Sequence, residues 1–536
     1  MKTYNFKFHL LFYIFLITGL SEAAAQDENS SLGVNLGGLD AWSSEWVFVN
    51  IAHQSYGWMP IDRQPAWKGF ISEDKLTKDK YLKPGESGML CVVWDAPVPV
   101  TGSFILSYSG NYSASLSKYN QNVTETSNRP GKLEFTANGT KYIYIDFRAN
   151  DTSSRVSEIK LIKEEDKNST NIFSQSFLDD IKRFKVLRFM DFMQTNNSDV
   201  VGISDYTTNN SLIQRPMSIK MIVELANKLN ADPWICIPVD GDDDLVAAWA
   251  SYIANNLESS LTVKVELSNE VWNSIFDQYG KAALKARIVG ISNTGKDWED
   301  APAYYGYRSA QIHKIFGAEF GKVTDAPGFC KIVAWQAANS WSFTDKVLPE
   351  YKQGSNNVLP DEVAIAPYFG GYLDNKPSVS NWTEEMLFEE LFNGTYIGTS
   401  PGSAIDEAVG WTRKYIKICN DNGISDLICY EAGQHLVGVN GNENNEKLTG
   451  LFIAANRSVK MKDAYTEYLR RLQAAGCGTI CLYTSHGRPS KWGSWGIKEY
   501  IGQDTAETPK YQSAIEFITK NSVVTTGEKT KSQLLK

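Results

Sequence analysis

The sequence predicts an α/β protein: a (β/α)8 TIM barrel with an inserted or appended antiparallel β-sandwich domain. Three observations lead there. The chain has 536 residues, 42% of them hydrophobic, enough for a large core and too many for one ordinary domain. From about Ser176 onward, helix-like and strand-like segments alternate, which implies a parallel sheet covered on both faces. From about Trp46 to Lys163 the texture is instead β-like, with short strands punctuated by Gly, Asn, Pro and Ser.

Residues 1–25 read as an export signal. Lys2 and Lys7 give a positive start, Leu10 to Leu20 is almost wholly apolar, and Ala23-Ala24-Ala25 offers a small-residue cleavage site before Gln26. The apolar run is shorter than the roughly 20 residues of a membrane span. No later stretch is long and apolar enough for one, so a secreted or periplasmic protein is expected. An ordinary N-terminal anchor helix is the competing reading.

Residues 26–45 hold the expected first barrel strand, Leu32–Leu36. Residues 46–165 form the expected sandwich, inserted after it, with strands at Gly88–Trp94, Gly102–Tyr108 and Lys141–Phe147. Residues 166–525 form the expected barrel and 526–536 a C-terminal tail. Within the barrel, helix Phe177–Phe184 precedes strand Lys185–Phe192, Ser218–Leu229 precedes Pro233–Val239, and Asp244–Leu257 precedes Leu261–Leu267. Helix Ala303–Phe316 precedes strand Lys331–Gln336, and strand Glu362–Pro367 is followed by helices to Cys419. Strand Asp426–Tyr430, helix Asp463–Ala475 and strand Gly478–Tyr483 complete the series. With Leu32–Leu36 these make eight strands and a closed barrel. An open doubly wound sheet is the alternative, but no G-x-G-x-x-G follows a strand to favour it.

Composition excludes several functions. The formal net charge is −9, and removing residues 1–25, which carry a net +1, leaves about −10. Such a chain repels nucleic acid, and no basic run argues otherwise. The five histidines are scattered, with no H-E-x-x-H spacing, so a zinc enzyme is not expected, and chemistry run by paired carboxyl groups requires neither a metal ion nor an organic cofactor. The seven cysteines include no C-x-x-C pair. They read as buried small hydrophobes, with pairing of some after export as the alternative. The oligomeric state is not legible.

In such a barrel the chemistry sits at the C-terminal ends of the strands. The second strand delivers Arg188, Asp191 and Gln194, the third Asp240, the fifth Trp335, Gln336 and Asn339, and the sixth Tyr368. The eighth brings Tyr483, Thr484, Ser485 and His486, with Trp492 and Trp495 downstream. Two ends carry a glutamate in an apolar or amide-rich setting: Glu270 after the fourth strand and Glu431, followed by His435, at the seventh. Cleaving a glycosidic bond with retention requires two carboxyl groups about 5–5.5 Å apart. One protonates the leaving oxygen and the other attacks the anomeric carbon. Strands three apart around the barrel place their ends across the mouth, so Glu270 and Glu431 can converge, with Asn269 able to bond the sugar 2-hydroxyl. The run Asp240–Asp244 either meets sugar hydroxyls or calcium, or caps a helix. Trp42, Trp46 and Trp58 either line the rim of the cleft or pack between domains.

Asn269-Glu270 after an apolar strand, with Glu431 three strands later, resembles the large clan of retaining (β/α)8 glycoside hydrolases. The longer strings Ser268-Asn269-Glu270-Val271-Trp272-Asn273 and Tyr430-Glu431-Ala432-Gly433-Gln434-His435 also resemble secreted bacterial proteins labelled cellulose-binding. The resemblance covers roughly residues 176–500. It implies that Glu270 is the acid/base, Glu431 the nucleophile, Arg188 the cation that steadies Glu431, and Tyr368 an aromatic contact of Glu431. Where the clan often has a tryptophan at the end of the eighth strand, this chain has Tyr483-Thr484-Ser485-His486, which leaves Trp492 or Trp495 as substitutes. A non-catalytic carbohydrate-binding protein on the same barrel is the alternative function, with a glycan as ligand in either case.

Overall fold

The computed structural model describes residues 31–40, 43–65, 69–94 and 96–533, with side chains as far as residue 521. The expected signal segment and Trp42 lie outside the described residues.

Eight parallel strands close into a barrel. In chain order they are Leu32–Asn35, Val186–Arg188, Asp232–Ile237, Thr262–Leu267, Gly328–Ala334, Glu362–Ile365, Asp426–Ala432 and Ile480–Leu482. The first strand pairs with both the second and the eighth. Strands buried on both faces need no alternation, and Trp234, Ile235, Cys236 and Ile237 are all fully buried. One face of the strands packs into the barrel lumen, filled by Trp234, Cys236, Ile332, Ala364, Ile428 and Tyr430. The other face meets the helices. At Gly33 the lumen has no room for a side chain, since a Cβ would lie 2.5 Å from Cys481 Sγ and 2.9 Å from the Val186 carbonyl. All seven cysteines are buried, and none of them forms a disulfide among the described residues.

Helix boundaries follow local chemistry. Helix Ile219–Leu229 starts on Ser218, whose side chain accepts from the Met221 amide, and stops at Asn230 in the left-handed region. Asp242 caps helix Asp243–Asn256 in the same way, which gives the acidic run at least one structural task. Among the differences from expectation, two have a clear local cause. The helix expected at Ala303 begins at Asp297, because Asp297, Glu299 and Asp300 stabilise its first turn against the cost of Pro302. The second strand ends at Arg188 rather than Phe192, because the backbone beyond it folds into turns. In them the Met193, Thr195 and Gln194 amides donate to Phe189, Met190 and Asp191.

Between the first and second barrel strands lie two four-stranded antiparallel sheets. One contains Gly57–Met59, Gly88–Val93, Tyr142–Ala149 and Tyr112–Leu116. The other contains Val123–Arg129, Lys132–Thr140, Val100–Gly110 and Val156–Lys163. Phe104 and Phe135 stack at 5.4 Å within the second sheet, Trp58 meets Phe147 edge-on within the first, and Tyr108 meets Phe147 edge-on at 5.4 Å across the two. Trp46 and Trp58 belong to this core, which continues onto Leu212 and Ile213 of the barrel.

A buried charge network ties the barrel seam. His486 contacts Glu45 through Nδ1 and Asp180 through Nε2, the latter at 2.9 Å, while Lys498 Nζ reaches Asp180 at 2.5 Å. Burial disfavours the imidazolium, but Glu45 and Asp180 outweigh it and raise His486 to about 9. Glu45 is itself pushed up by desolvation, which the charge of Asp180 adds to and His486 opposes. A raised histidine contributes stability that is complete below its unfolded pKa of about 6.5 and is lost as pH rises through about 9. The shift corresponds to up to about 3 kcal/mol. Urea unfolding from pH 6 to 10 is expected to show this loss in the wild type and not in His486→Gln. Equal pH profiles would refute it.

Candidate active site

Glu431 is the penultimate residue of the seventh strand, and Glu270 lies in the loop three residues after the fourth. That loop is forced into unusual backbone: Ser268 and Glu270 have φ of +57° and +42°. Left-handed backbone at non-glycine residues costs about 1–3 kcal/mol and persists where the surroundings impose it. Here the Ser268 amide donates to Ile237 and the Asn273 amide to Glu270, which pins both sides of the bend.

Arg188 is the hub. Its side chain is fully buried, and its Nη1 donates to Glu431 at 3.0 Å and to Asn35 Oδ1 at 2.9 Å. Its Nε and Nη2 grip Glu266 at 3.1 and 2.9 Å, and Nη2 also reaches Asn269 Oδ1 at 2.9 Å. Trp234 Nε1 completes Glu266 at 2.8 Å. Asn35 reaches across the barrel seam and donates to the Tyr430 carbonyl at 2.8 Å. One cation is thus shared between two carboxylates, and each polar atom around it is matched.

The two candidate carboxyls have different partners. Glu431 accepts from Arg188 and, at 2.9 Å, from the Tyr368 hydroxyl. Glu270 accepts from two neutral donors, the Tyr430 hydroxyl at 3.0 Å and Asn273 Nδ2 at 2.9 Å. Burial raises both carboxyls. Burial, with repulsion from Glu270 added, pushes Glu431 up to about 8. The two titrate together, so that value belongs to the second ionisation of the pair. With Arg188 against Glu431, the proton that the pair retains resides on Glu270.

An aromatic wall stands beside Glu431. Trp495 lies 5.8 Å from Tyr368, 5.2 Å from His435 and 6.0 Å from Tyr483, ring centre to ring centre. Tyr483 donates to Asp191 at 3.3 Å, and burial raises Asp191 to about 6.

The structure therefore brings Glu270, Glu431, Asn269, Arg188, Tyr368 and His435 together. Asn269 is engaged at both ends, since its Nδ2 donates to Asn196 at 3.0 Å. The remaining expected residues are placed differently. His486 is spent on Glu45 and Asp180. Asp240 is paired with Lys281 and Lys285 at 3.2 and 3.1 Å. Trp335 is buried against Tyr305, and Gln336 is half-buried with its carbonyl accepting from Tyr415. Trp492 is 65% exposed, so of the two downstream tryptophans it is Trp495 that packs on the wall. Sequence reasoning did not single out Glu266, Asn35, Tyr430 or Asn273. For Glu266 a signal existed: in Val263-Lys264-Val265-Glu266-Leu267 two charges alternate within a buried strand, and each must find a partner. Lys264 finds Glu362 at 2.6 Å and Glu266 finds Arg188. Among the described residues no group of three or more His, Cys, Asp or Glu side chains is arranged to hold a metal ion.

No protein-family model and no curated protein matches the chain. Solved structures do. A broad specificity endoglucanase from Clostridium acetobutylicum is 13% identical, with a TM-score of 0.37 over 66% of this chain and 92% of that one. A β-glucosidase from Thermotoga maritima, solved with deoxynojirimycin, is 11% identical, with a TM-score of 0.33 over 65% of this chain and 87% of that one. Modules of an N-terminal endo-1,4-β-D-xylanase from Clostridium thermocellum, solved with xylohexaose, are 10% identical, with a TM-score of 0.35 over 88% of this chain and 96% of those modules.

Proposed function

We propose that the protein is a retaining glycoside hydrolase that cleaves O-glycosidic bonds of a poly- or oligosaccharide by double displacement. The observation that carries this reading is the asymmetry of two coupled buried carboxyls, one held by a cation and the other by neutral donors. Glu431, ionised beside Arg188, attacks the anomeric carbon. Glu270, carrying the pair's proton, delivers it to the departing glycosidic oxygen. A covalent glycosyl-enzyme results. Glu270, now ionised, takes a proton from water as the water oxygen attacks the same carbon, and Glu431 leaves. Arg188 on one carboxylate oxygen and the Tyr368 hydroxyl on the other fix the orientation of Glu431. The N-terminal signal pattern supports action in an exported compartment.

One feature favours a second reading, a non-catalytic glycan-binding protein: Tyr483 stands at the end of the eighth strand. Trp495 beside Tyr483 and Tyr368 supplies an aromatic face there, which favours the enzyme.

The test is hydrolysis of a panel of aryl glycosides and plant or microbial polysaccharides, with product anomers followed by NMR. Retained configuration is expected, with kcat/KM falling as pH rises through about 8, where the pair loses its last proton. Inverted product, or silence across the panel with measurable glycan binding, would overturn the proposal.

A further inference from the structure

A buried cation stands behind the aromatic wall of the mouth. Lys510, the second residue of helix Pro509–Gln533, is 2% exposed. Its ammonium has three hydrogens to place. Nζ donates to the Ser494 carbonyl at 2.7 Å and to the Trp495 carbonyl at 3.4 Å, and it lies 6.0 Å from the centre of the Tyr465 ring. Glu499 is the carboxylate whose charge reaches it, but Arg457 already grips that side chain at 2.7 and 2.8 Å. An ammonium taken out of water without a carboxylate of its own costs the fold stability. Burial accordingly lowers Lys510 to about 7, and Glu499 offsets only part of that.

A methionine would fill much the same space without that cost, so the lysine serves something other than stability. Its contacts say what. Trp495 is the ring that meets Tyr368, His435 and Tyr483 beside Glu431, and it is half-buried, so part of its surface stays accessible. Gly493 lets the indole fold back over the chain, since a Cβ there would lie 2.3 Å from Trp495 Nε1.

The Ser494–Trp495 peptide is held from three sides. Gln434, three residues after Glu431, donates from Nε2 to the Ser494 carbonyl at 2.8 Å, and its amide donates to the Tyr465 hydroxyl at 3.1 Å. The Thr484 amide, just beyond the eighth strand, donates to the Trp495 carbonyl at 3.1 Å. Lys510 adds the third hold, from the helix layer, and reaches both carbonyls. Without its ammonium neither carbonyl is left bare, because Gln434 and Thr484 remain. The loss falls on where the peptide sits, and so on the ring it carries. We propose that Lys510 is a positioning residue that sets the Trp495 ring in the wall beside Glu431, where a sugar ring stacks on it. The stacking rests on the glycosidase reading; the placement of the ring does not.

The experiment uses the full chain with its 15 tryptophans replaced by 5-fluorotryptophan. The Trp495 fluorine resonance, identified by its loss in Trp495→Phe, is expected to move or broaden in Lys510→Met. The urea midpoint of that variant is expected not to fall, as it would if the lysine were only a structural prop. With the aryl glycoside that the wild type hydrolyses fastest, Lys510→Met is expected to raise KM about tenfold and to alter kcat less than about threefold, the pattern of lost ring binding. Trp495→Ala is expected to raise KM at least as far, and the double variant no further than Trp495→Ala alone, because the lysine acts through that ring. An unmoved Trp495 resonance, additive losses in the double variant, or a fall in stability with KM unchanged would overturn the proposal. A moved resonance in a protein that hydrolyses nothing would uphold the placement and sink the catalytic reading instead.

Discussion

Replacing Glu431 with glutamine is expected to lower kcat on the order of 10⁶-fold, the scale of deleting a nucleophile from a hydrolase. The amide keeps the shape and the Tyr368 contact but cannot form the glycosyl ester. Glu270→Gln is expected to behave differently. With poor leaving groups it loses about 10²–10⁴-fold, the usual contribution of a general acid. With a dinitrophenyl leaving group, which departs without a proton, the first step survives and the glycosyl-enzyme accumulates as a burst. The same substitution removes the charge that raises Glu431, so the limb near pH 8 disappears from its rate profile. Stopped-flow release of the phenol across pH reads all three effects. Equal losses on both leaving groups, or an unshifted limb, would refute the assignment of roles.

The second large effect falls on stability. Arg188→Met is expected to destabilise the fold by about 3–5 kcal/mol, because it strands Glu266 and Glu431 in the interior without a counter-charge. The loss is expected to depend on pH in a definite direction. Both carboxyls are already raised by burial, and removing the cation raises them further. A carboxyl whose folded pKa is raised destabilises the protein as pH climbs through it, so the deficit should be larger at pH 8 than at pH 5. Urea unfolding at the two values measures it. A deficit below about 1 kcal/mol, or one independent of pH, would show that the hub is not held by charge.

Much of this was legible before the structure. The barrel follows from the alternation of segments, and the two glutamates follow from reading only strand ends. The inserted sheets follow from a change of texture near Trp46. What was hidden has a physical reason. A strand buried on both faces is apolar throughout, so its pattern does not tell lumen from outer wall. That is why Glu266, facing Arg188, and Asn35, bridging the seam, escaped notice. Loop residues were harder still. His486 follows Tyr483 by three positions, yet the turn sends its ring to Asp180 rather than to the aromatic wall around Trp495. Asp240 stands at a strand end, but Lys281 and Lys285 pair with it from helix Asp277–Val289, beyond the fourth strand. Pairings set across long stretches of chain leave no local signature.

The position of the inserted sheets also governs the order in which the molecule can assemble. All their strands lie between residues 57 and 163, so they can pair as soon as that stretch has been synthesised. The first barrel strand precedes them but must wait for the eighth, and contacts across that seam join residues 448 apart, as between Gly37 and Ser485. At synthesis rates of about 5–20 residues per second, the interval between the two events is roughly 15–60 s. Throughout it a finished sandwich stands beside an unclosed barrel whose strand Leu32–Asn35 has a bare edge. A chain cut short before residue 480 would therefore lose one of the two pairings of its first strand along with its last strand.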